Sequence, residues 1–285
     1  MKLACVGDIH SNYKALEACL EFLDANRYDG ILFLGDYVSD CPYPRKTIEL
    51  LKQAESRYPV WFIKGNREAY LLDYHHKPHA YWRNSSHSGS LLYTYENLRQ
   101  SDLEWFSTFP ISRAVHFDRA PDIVICHGSP AALRENLFPD SALSDYWLKT
   151  VRTDYLICAH THKPFEYVKG DQHLINCGSL GLPVNGQTQA QFTTLDLVHG
   201  HWQRTLVSID YDIAGILKDF ETSGLHERAS VWSMAVTKLL TSGRNYPLDC
   251  LHLAEKMALR DNPETDLRTI PERYWYQAAR LLGVI

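Results

Sequence analysis

Leu3-Ala4-Cys5-Val6-Gly7-Asp8-Ile9-His10-Ser11-Asn12 sets the pattern from which the chain is read. A four-residue apolar run, too short for a helix, leads into a glycine, a carboxylate and an imidazole, as a strand buried on both faces does when it ends at a polar rim. The arrangement returns four times. Ile31–Leu34 leads to Asp36, Val60–Ile63 to Asn66, Ile123–Cys126 to His127, and Tyr155–Ala159 to His160 and His162. Between the first two runs, Leu16, Leu20 and Leu23 share one face of a helix for which Asn12 is the N-cap candidate. Ile48, Leu51 and Ala54 repeat that spacing between the second and third runs. Strand, helix, strand, helix, strand specifies a parallel sheet, whose ligands gather beyond the carboxyl ends of the strands. All five runs deliver polar residues to that edge.

The surrounding composition narrows the function. With 45% hydrophobic and 22% charged residues, the 285-residue chain has ample material for a core and reads as a soluble globular protein. No apolar run approaches the roughly 20 residues that cross a bilayer, and Met1–Val6 is too short for the apolar segment of a secretory signal. A cytoplasmic location and no membrane partner are expected. Seven scattered cysteines without a CxxC pair fit reduced thiols, and Cys126 and Cys177 read as buried neighbours of the rim. A net charge of -5 argues against a stable nucleic-acid partner, because phosphate backbones are gripped by clustered Lys and Arg.

Between the third and fourth runs the chain changes character. Nine aromatics lie between Tyr70 and Phe109, together with His75, His76, His79 and His87, so about 68–110 reads as a helical insertion. Ser101-Asp102-Leu103-Glu104 resembles a capping box that starts one of its helices. Phe192–Leu197 and His201–Ile209 alternate with period two around His199-Gly200 and form an antiparallel pair. From Asp210 the spacing is helical, broken at Ser223-Gly224 and Ser242-Gly243. Residues 1–209 are therefore expected as one domain and 210–285 as a C-terminal helical appendage. Trp232 and Trp275 of that appendage are expected to be buried within it, with a homodimer as a further expectation.

Taken singly, each rim residue has an ordinary reading as a cap, a turn or a satisfied histidine. Joint placement changes that. Asp8 and His10 are two residues apart, as are His160 and His162, so in extended backbone each pair projects to one side. Asp8, His10, Asp36, Asn66, His127, His160 and His162 are too many donors for one tetrahedral ion. With Asp36 shared they suit two ions about 3.5–4 Å apart. Mixed imidazole and carboxylate donors favour Mn, Fe, Zn, Co or Ni over Mg or Ca.

Gly7-Asp8-Ile9-His10, Gly35-Asp36, Gly65-Asn66, His127-Gly128 and Ala159-His160-Thr161-His162 together resemble the calcineurin-like metallophosphoesterase superfamily. Gly7–Asn12 and Asn176–Pro183 are similar to its smaller bacterial and archaeal phosphodiesterase-type members. The resemblance implies an α/β fold, a two-sheet sandwich flanked by helices. It also implies Asp8, His10, Asp36 and His162 on one divalent ion and Asp36, Asn66, His127 and His160 on the other, with Asn12 near the phosphate. A hydroxide held between such ions can attack phosphorus in line.

One position departs from that pattern. Where the family usually has Gly-Asn-His followed by Asp or Glu, this chain has Gly65-Asn66-Arg67-Glu68. A guanidinium does not give up its proton near neutral pH, yet it forks well onto phosphate oxygens. Arg67 is therefore expected to clamp the substrate phosphate, and Arg67, Asn66 and His127 are the candidate catalytic residues. His79 and His87 are alternative proton donors, and Tyr81, Trp82, Tyr93 and Tyr95 are candidates to stack a nucleobase. The expected activity is hydrolysis of small phosphoesters or phosphoanhydrides, with nucleotide-like molecules among the substrates. Diadenosine polyphosphate hydrolysis and a non-catalytic protein-binding scaffold of the same fold are the alternatives.

Overall fold

The computed structural model describes residues 1–285. Its first third is β1 (Lys2–Val6), α1 (Tyr13–Asn26), β2 (Gly30–Phe33), α2 (Pro44–Arg57) and β3 (Val60–Phe62). Helices α3 (Asn66–His76), α4 (Gly89–Glu96) and α5 (Gln100–Ser107) make the insertion. There follow β4 (Ser112–Val115), β5 (Ile123–Cys126), α6 (Ala142–Thr150), β6 (Tyr155–Cys158), β7 (Phe165–Lys169), β8 (Gln172–Asn176), β9 (Ala190–Val198) and β10 (His201–Ile209). The chain ends in α7 (Ile213–Thr222), α8 (Leu225–Ser242), α9 (Tyr246–Asp261) and α10 (Glu272–Leu281).

Two five-stranded sheets result, ordered β10-β9-β1-β2-β3 and β4-β5-β6-β8-β7. The five donor-bearing strands are thus divided between sheets, β1 to β3 in one and β5 with β6 in the other, rather than gathered in a single parallel sheet. Leu3, Cys5, Leu32 and Leu34 of the first sheet pack on Ile123, Ile125, Tyr155 and Ile157 of the second. The alternate residues Ala4, Val6, Ile31 and Phe33 face α1 and α2. Burial on both faces explains why these strands read as unbroken apolar runs.

The insertion packs its aromatics inward, with Phe62 stacked on Phe33 and on Phe109 at centroid distances of 4.9 and 5.0 Å. Its third helix starts two residues earlier than the Ser101 box suggests. Asp102, not Glu104, closes the cap by accepting from Arg99 N–H at 3.0 Å. The C-terminal helices have a core of their own and also pack on the rest of the chain. Ile216, Phe220 and Leu225 share a core with Tyr13, Cys41, Tyr93 and Leu182, while Trp275 is fully buried in a second core built from α8 to α10. α4 lies hard against α8, since a Cβ at Gly89 would fall 1.8 Å from the Arg228 carbonyl oxygen.

Candidate metal centre

The parallel strands of both sheets end at one rim. Asp8 and His10 follow β1, Asp36 follows β2, Asn66 opens α3 beyond β3, His127 follows β5, and His160 and His162 follow β6. Asp8 Oδ1 lies 3.5 Å from His162 Nε2, 3.9 Å from His10 Nε2 and 4.0 Å from His127 Nε2. Asp36 faces both ways, Oδ2 being 3.8 Å from His10 Nε2 and Oδ1 3.5 Å from His127 Nε2. Asn66 Oδ1 is 3.0 Å from His127 Nε2, and the His160 ring is centred 5.0 Å from that of His127. Six of the donors thus converge, and the His160 ring lies beside that of His127.

The backbone reaches this arrangement by a route the spacing does not reveal. Asp8, His10, Asp36, His160 and His162 have φ of 51°, 51°, 53°, 67° and 56°. These are left-handed turns beyond the strand ends, not extended backbone, and each costs a residue with a Cβ on the order of 1 kcal/mol or more. Hydrogen bonds between loops hold them. Ile9 N–H and His10 N–H both donate to the Asp36 carbonyl at 2.9 and 3.0 Å, and Gly181 N–H donates to the Asp8 carbonyl at 3.0 Å. Gly181 must be glycine, because a Cβ there would meet the Ile9 carbonyl oxygen at 1.9 Å.

The imidazoles are aimed. His127 Nδ1 lies 2.7 Å from the Leu34 carbonyl and His162 Nδ1 2.7 Å from the Leu182 carbonyl. A carbonyl only accepts, so each Nδ1 carries a proton and each ring is held with Nε2 aimed into the site. His10 Nδ1 faces Asp40 Oδ2 at 2.9 Å, off the ideal hydrogen-bond direction. Asp8 Oδ1 is completely buried and receives no hydrogen bond at all.

Charge in the cluster is unevenly shared. Burial raises Asp8 to about 7, helped by Asp36 and opposed by His127 and His10. For Asp36 burial also acts upward, but His127, His10 and Arg67 outweigh it and hold the carboxyl well below the usual range. Burial would lower His127, yet Asp36 and Asp8 lift it to about 9. His160 falls to about 4 through burial and then the neighbouring His127. A divalent cation would displace the protons from Asp8 and His127 and satisfy the orphaned oxygen, so the donor set fits a metal centre.

Two residues that no motif singled out complete the rim. Glu68, fully buried, accepts from Asp36 N–H, Tyr37 N–H and Gly65 N–H at 2.9, 2.8 and 2.9 Å, tying the loop after β2 to the start of α3. Asp40 sits between His10 and Arg67, its oxygen 3.0 Å from Arg67 Nη2. A second carboxylate four residues after Asp36 was the available signal for Asp40, and the Glu of Gly65-Asn66-Arg67-Glu68 for Glu68.

The remaining candidates take the following places. Asn12 is completely buried and caps α1, Oδ1 accepting from Ala15 N–H at 3.2 Å while Nδ2 donates to the Gly181 carbonyl and the Tyr211 hydroxyl at 2.9 and 3.1 Å. Its amide is fully occupied inside the fold, with no group left for a phosphate. Arg67 stays partly exposed, and its Nε has no hydrogen-bond partner. His79 bonds Asp73 at 2.7 Å, and His87 packs on Trp275 of α10. Trp82 is stacked on Tyr74 at 4.3 Å, Tyr93 is buried against α7 and α8, Tyr95 bonds His75, and Tyr81 stacks on His79. These rings build the insertion's interior and offer no open platform for a base. Cys126 and Cys177 are buried, and burial pushes both thiols well above their ordinary range.

A family model described as calcineurin-like phosphoesterase matches residues 1–164, a span that contains all seven donors. The chain belongs to this family. It is 25% identical over 230 residues to the uncharacterised protein MJ0912 of Methanocaldococcus jannaschii, covering 74% of this chain and 88% of that one. Among solved structures it is similar to hypothetical protein PH1004 from Pyrococcus horikoshii, with 24% identity, a TM-score of 0.70, and 85% of this chain and 98% of that one covered. A metallophosphoesterase from Sphaerobacter thermophilus superposes with a TM-score of 0.67 at 22% identity, over 85% of this chain and 99% of its own. At these identities the two structures show the shared fold. No helix is long and apolar enough to cross a membrane.

Proposed function

We propose that this calcineurin-like phosphoesterase is a metal-dependent hydrolase of small phosphoesters or phosphoanhydrides, working with two divalent transition-metal ions. Asp8, His10, Asp36 and His162 would hold one ion and Asp36, Asn66, His127 and His160 the other. The observation that carries the reading is Asp8 Oδ1, buried without a donor and within 4.0 Å of three imidazole nitrogens. An acceptor in that position is costly unless a cation meets it. When bound, such ions supply Lewis acidity to phosphoryl oxygens and lower the pKa of coordinated water.

The chain's own side chains do the rest. The Leu34 and Leu182 carbonyls fix the orientations of His127 and His162, and Asp40 Oδ2 stands 2.9 Å from His10 Nδ1. Arg67 forks onto the phosphate and holds it for in-line displacement, its positive charge anchored by Asp36 and Asp40. Being permanently charged, it supplies no proton to the departing oxygen. Substrates with stable leaving groups, such as aryl esters and anhydrides, are therefore favoured over alkyl phosphates. A complete donor set argues against a scaffold that has lost its metals.

The test is a screen of Mn²⁺-loaded protein against an aryl phosphodiester, an aryl monoester, a dinucleoside polyphosphate and an alkyl monoester. Turnover of the first three, and little of the last, is the expected result. Preference for the alkyl monoester would refute the role given to Arg67. No turnover, with less than one transition ion per chain after purification without chelator, would refute the enzyme.

A further inference from the structure

Asp40 is 2% exposed, and its two carboxylate oxygens face different parts of the chain. Oδ2 turns to the rim, 2.9 Å from His10 Nδ1 and 3.0 Å from Arg67 Nη2, and accepts from Ser39 Oγ at 3.1 Å. Oδ1 turns away, accepting from Trp232 Nε1 at 2.7 Å and from Ser90 Oγ at 3.2 Å. A metal ligand, the phosphate clamp, the insertion helix α4 and helix α8 thus meet at one carboxyl group. Trp232 does not stay within the C-terminal core. It reaches across 192 positions of sequence to a residue beside the metal centre.

The backbone of α8 is distorted next to this contact. Ser230 has φ 40° and ψ −121° inside the helix, a conformation disfavoured for any residue with a Cβ. Ser86 Oγ, which donates to Glu272 Oε2 at 2.6 Å, accepts from Val231 N–H at 3.1 Å, and the Ser230 and Tyr276 hydroxyls are 2.8 Å apart. Strain of this kind persists where surrounding contacts over-determine it, and it clusters at functional positions. The indole that reaches Asp40 belongs to the residue two positions later.

We infer that Trp232 is a positioning residue for the metal centre: its indole N–H fixes the Asp40 carboxylate, which in turn orients the His10 imidazole and the Arg67 guanidinium. The inference rests on the metal-dependent reading above. It makes the C-terminal helices part of the working site, although they lie outside the span of the family motifs. Without the indole, Ser90 is the one side-chain donor left on Oδ1, and the carboxylate can rotate away from His10 and Arg67 together.

The test is calorimetric titration of the chelator-stripped full chain with Mn²⁺ alone. Trp232→Phe keeps the ring and removes the donor. It is expected to weaken Mn²⁺ binding about 5-fold, less than loss of a direct partner to a ligating group produces, because Trp232 acts through Asp40. At saturating Mn²⁺ it is also expected to raise KM for an aryl phosphodiester through the loosened Arg67. Trp275→Phe is the control, because that indole is buried in the same helical region and its Nε1 has no partner. It is expected to lower Tm and leave Mn²⁺ affinity within twofold of wild type. The inference is overturned if Trp232→Phe also stays within twofold, or if Trp275→Phe weakens binding equally. Should Trp232→Phe fail to fold, Ser90→Ala probes the same oxygen with a smaller change and is expected to cost about threefold; an unchanged affinity there overturns the inference too. Absence of Mn²⁺ binding by the wild type would instead overturn the metal-dependent reading itself.

Discussion

At the rim, Asp8 Oδ1 is buried with no donor, whereas in the insertion His75 bonds the Tyr95 hydroxyl at 3.0 Å and His79 bonds Asp73 at 2.7 Å. Five of the seven rim donors have left-handed backbone, while no residue between Glu68 and Pro110 has a positive φ. Both regions are crowded with imidazoles or aromatic rings. What separates them is where demand goes unmet: the rim leaves a carboxylate oxygen without a donor beside three imidazoles, while the insertion pairs most of its imidazoles and rings with one another, His87 Nδ1 being the exception. Density of reactive residue types says little; the polar atoms left without partners say more.

The sharpest way to break this contrast is to exchange the roles of the two regions by mutation. Asp8→Asn is expected to lower kcat/KM about 1,000-fold or more and to abolish tight Mn²⁺ binding, measured by steady-state kinetics and metal analysis. The same change removes an unfavourably buried carboxylate and so raises the Tm of the metal-free protein at pH 8. An Asp8→Asn variant with near-normal activity would remove the distinction altogether. Arg67→Ala comes next, with a loss of about 10- to 100-fold in kcat/KM and unchanged metal content, the scale of a charge-assisted contact to phosphate.

pH sharpens the comparison further. Asp8 titrates at about 7 in the fold and near 3.9 unfolded, so the folded state holds the extra proton between those values and stability falls as pH rises through that window. His127, at about 9 folded and roughly 6.5 unfolded, carries the same sign from 6.5 to 9. His160, lowered to about 4, has the opposite sign, and its effect ends near 6.5. Metal-free protein is therefore expected to melt several degrees lower at pH 8 than at pH 6.5. Added Mn²⁺ should raise Tm more at pH 8, because it no longer competes with those protons. Equal Mn²⁺ shifts at both pH values would contradict the assignment of Asp8 and His127 as ligands. Smallest of all, His79→Ala in the insertion is expected to leave kcat/KM within twofold.

The strand runs were legible because double-sided burial writes itself as unbroken Ile, Val and Leu, and the donors because each follows such a run within a few residues. Division into two sheets was not legible in those runs alone, since Ile31–Leu34 and Tyr155–Ala159 carry the same pattern whichever sheet they join. Short β4 and β7 were not legible for a related reason: both lie at sheet edges, and β7, half exposed, has no apolar run to announce it. Left-handed turns at Asp8 and His160 leave no mark in residue spacing. Nor could Asp40 and Trp232 be paired from sequence, because neither belongs to a repeating pattern and their bond joins the beginning of the chain to its end.

His162 is held by the Leu182 carbonyl, twenty positions further on, and the Asp8 turn by Gly181. A polypeptide ending at His162 already contains every proposed ligand, but not the clasp that points them. If the proposed centre holds metal, a fragment ending at His162 is therefore expected to bind Mn²⁺ more weakly than the full chain, because the segment around Gly181 that orients the ligands is missing from it.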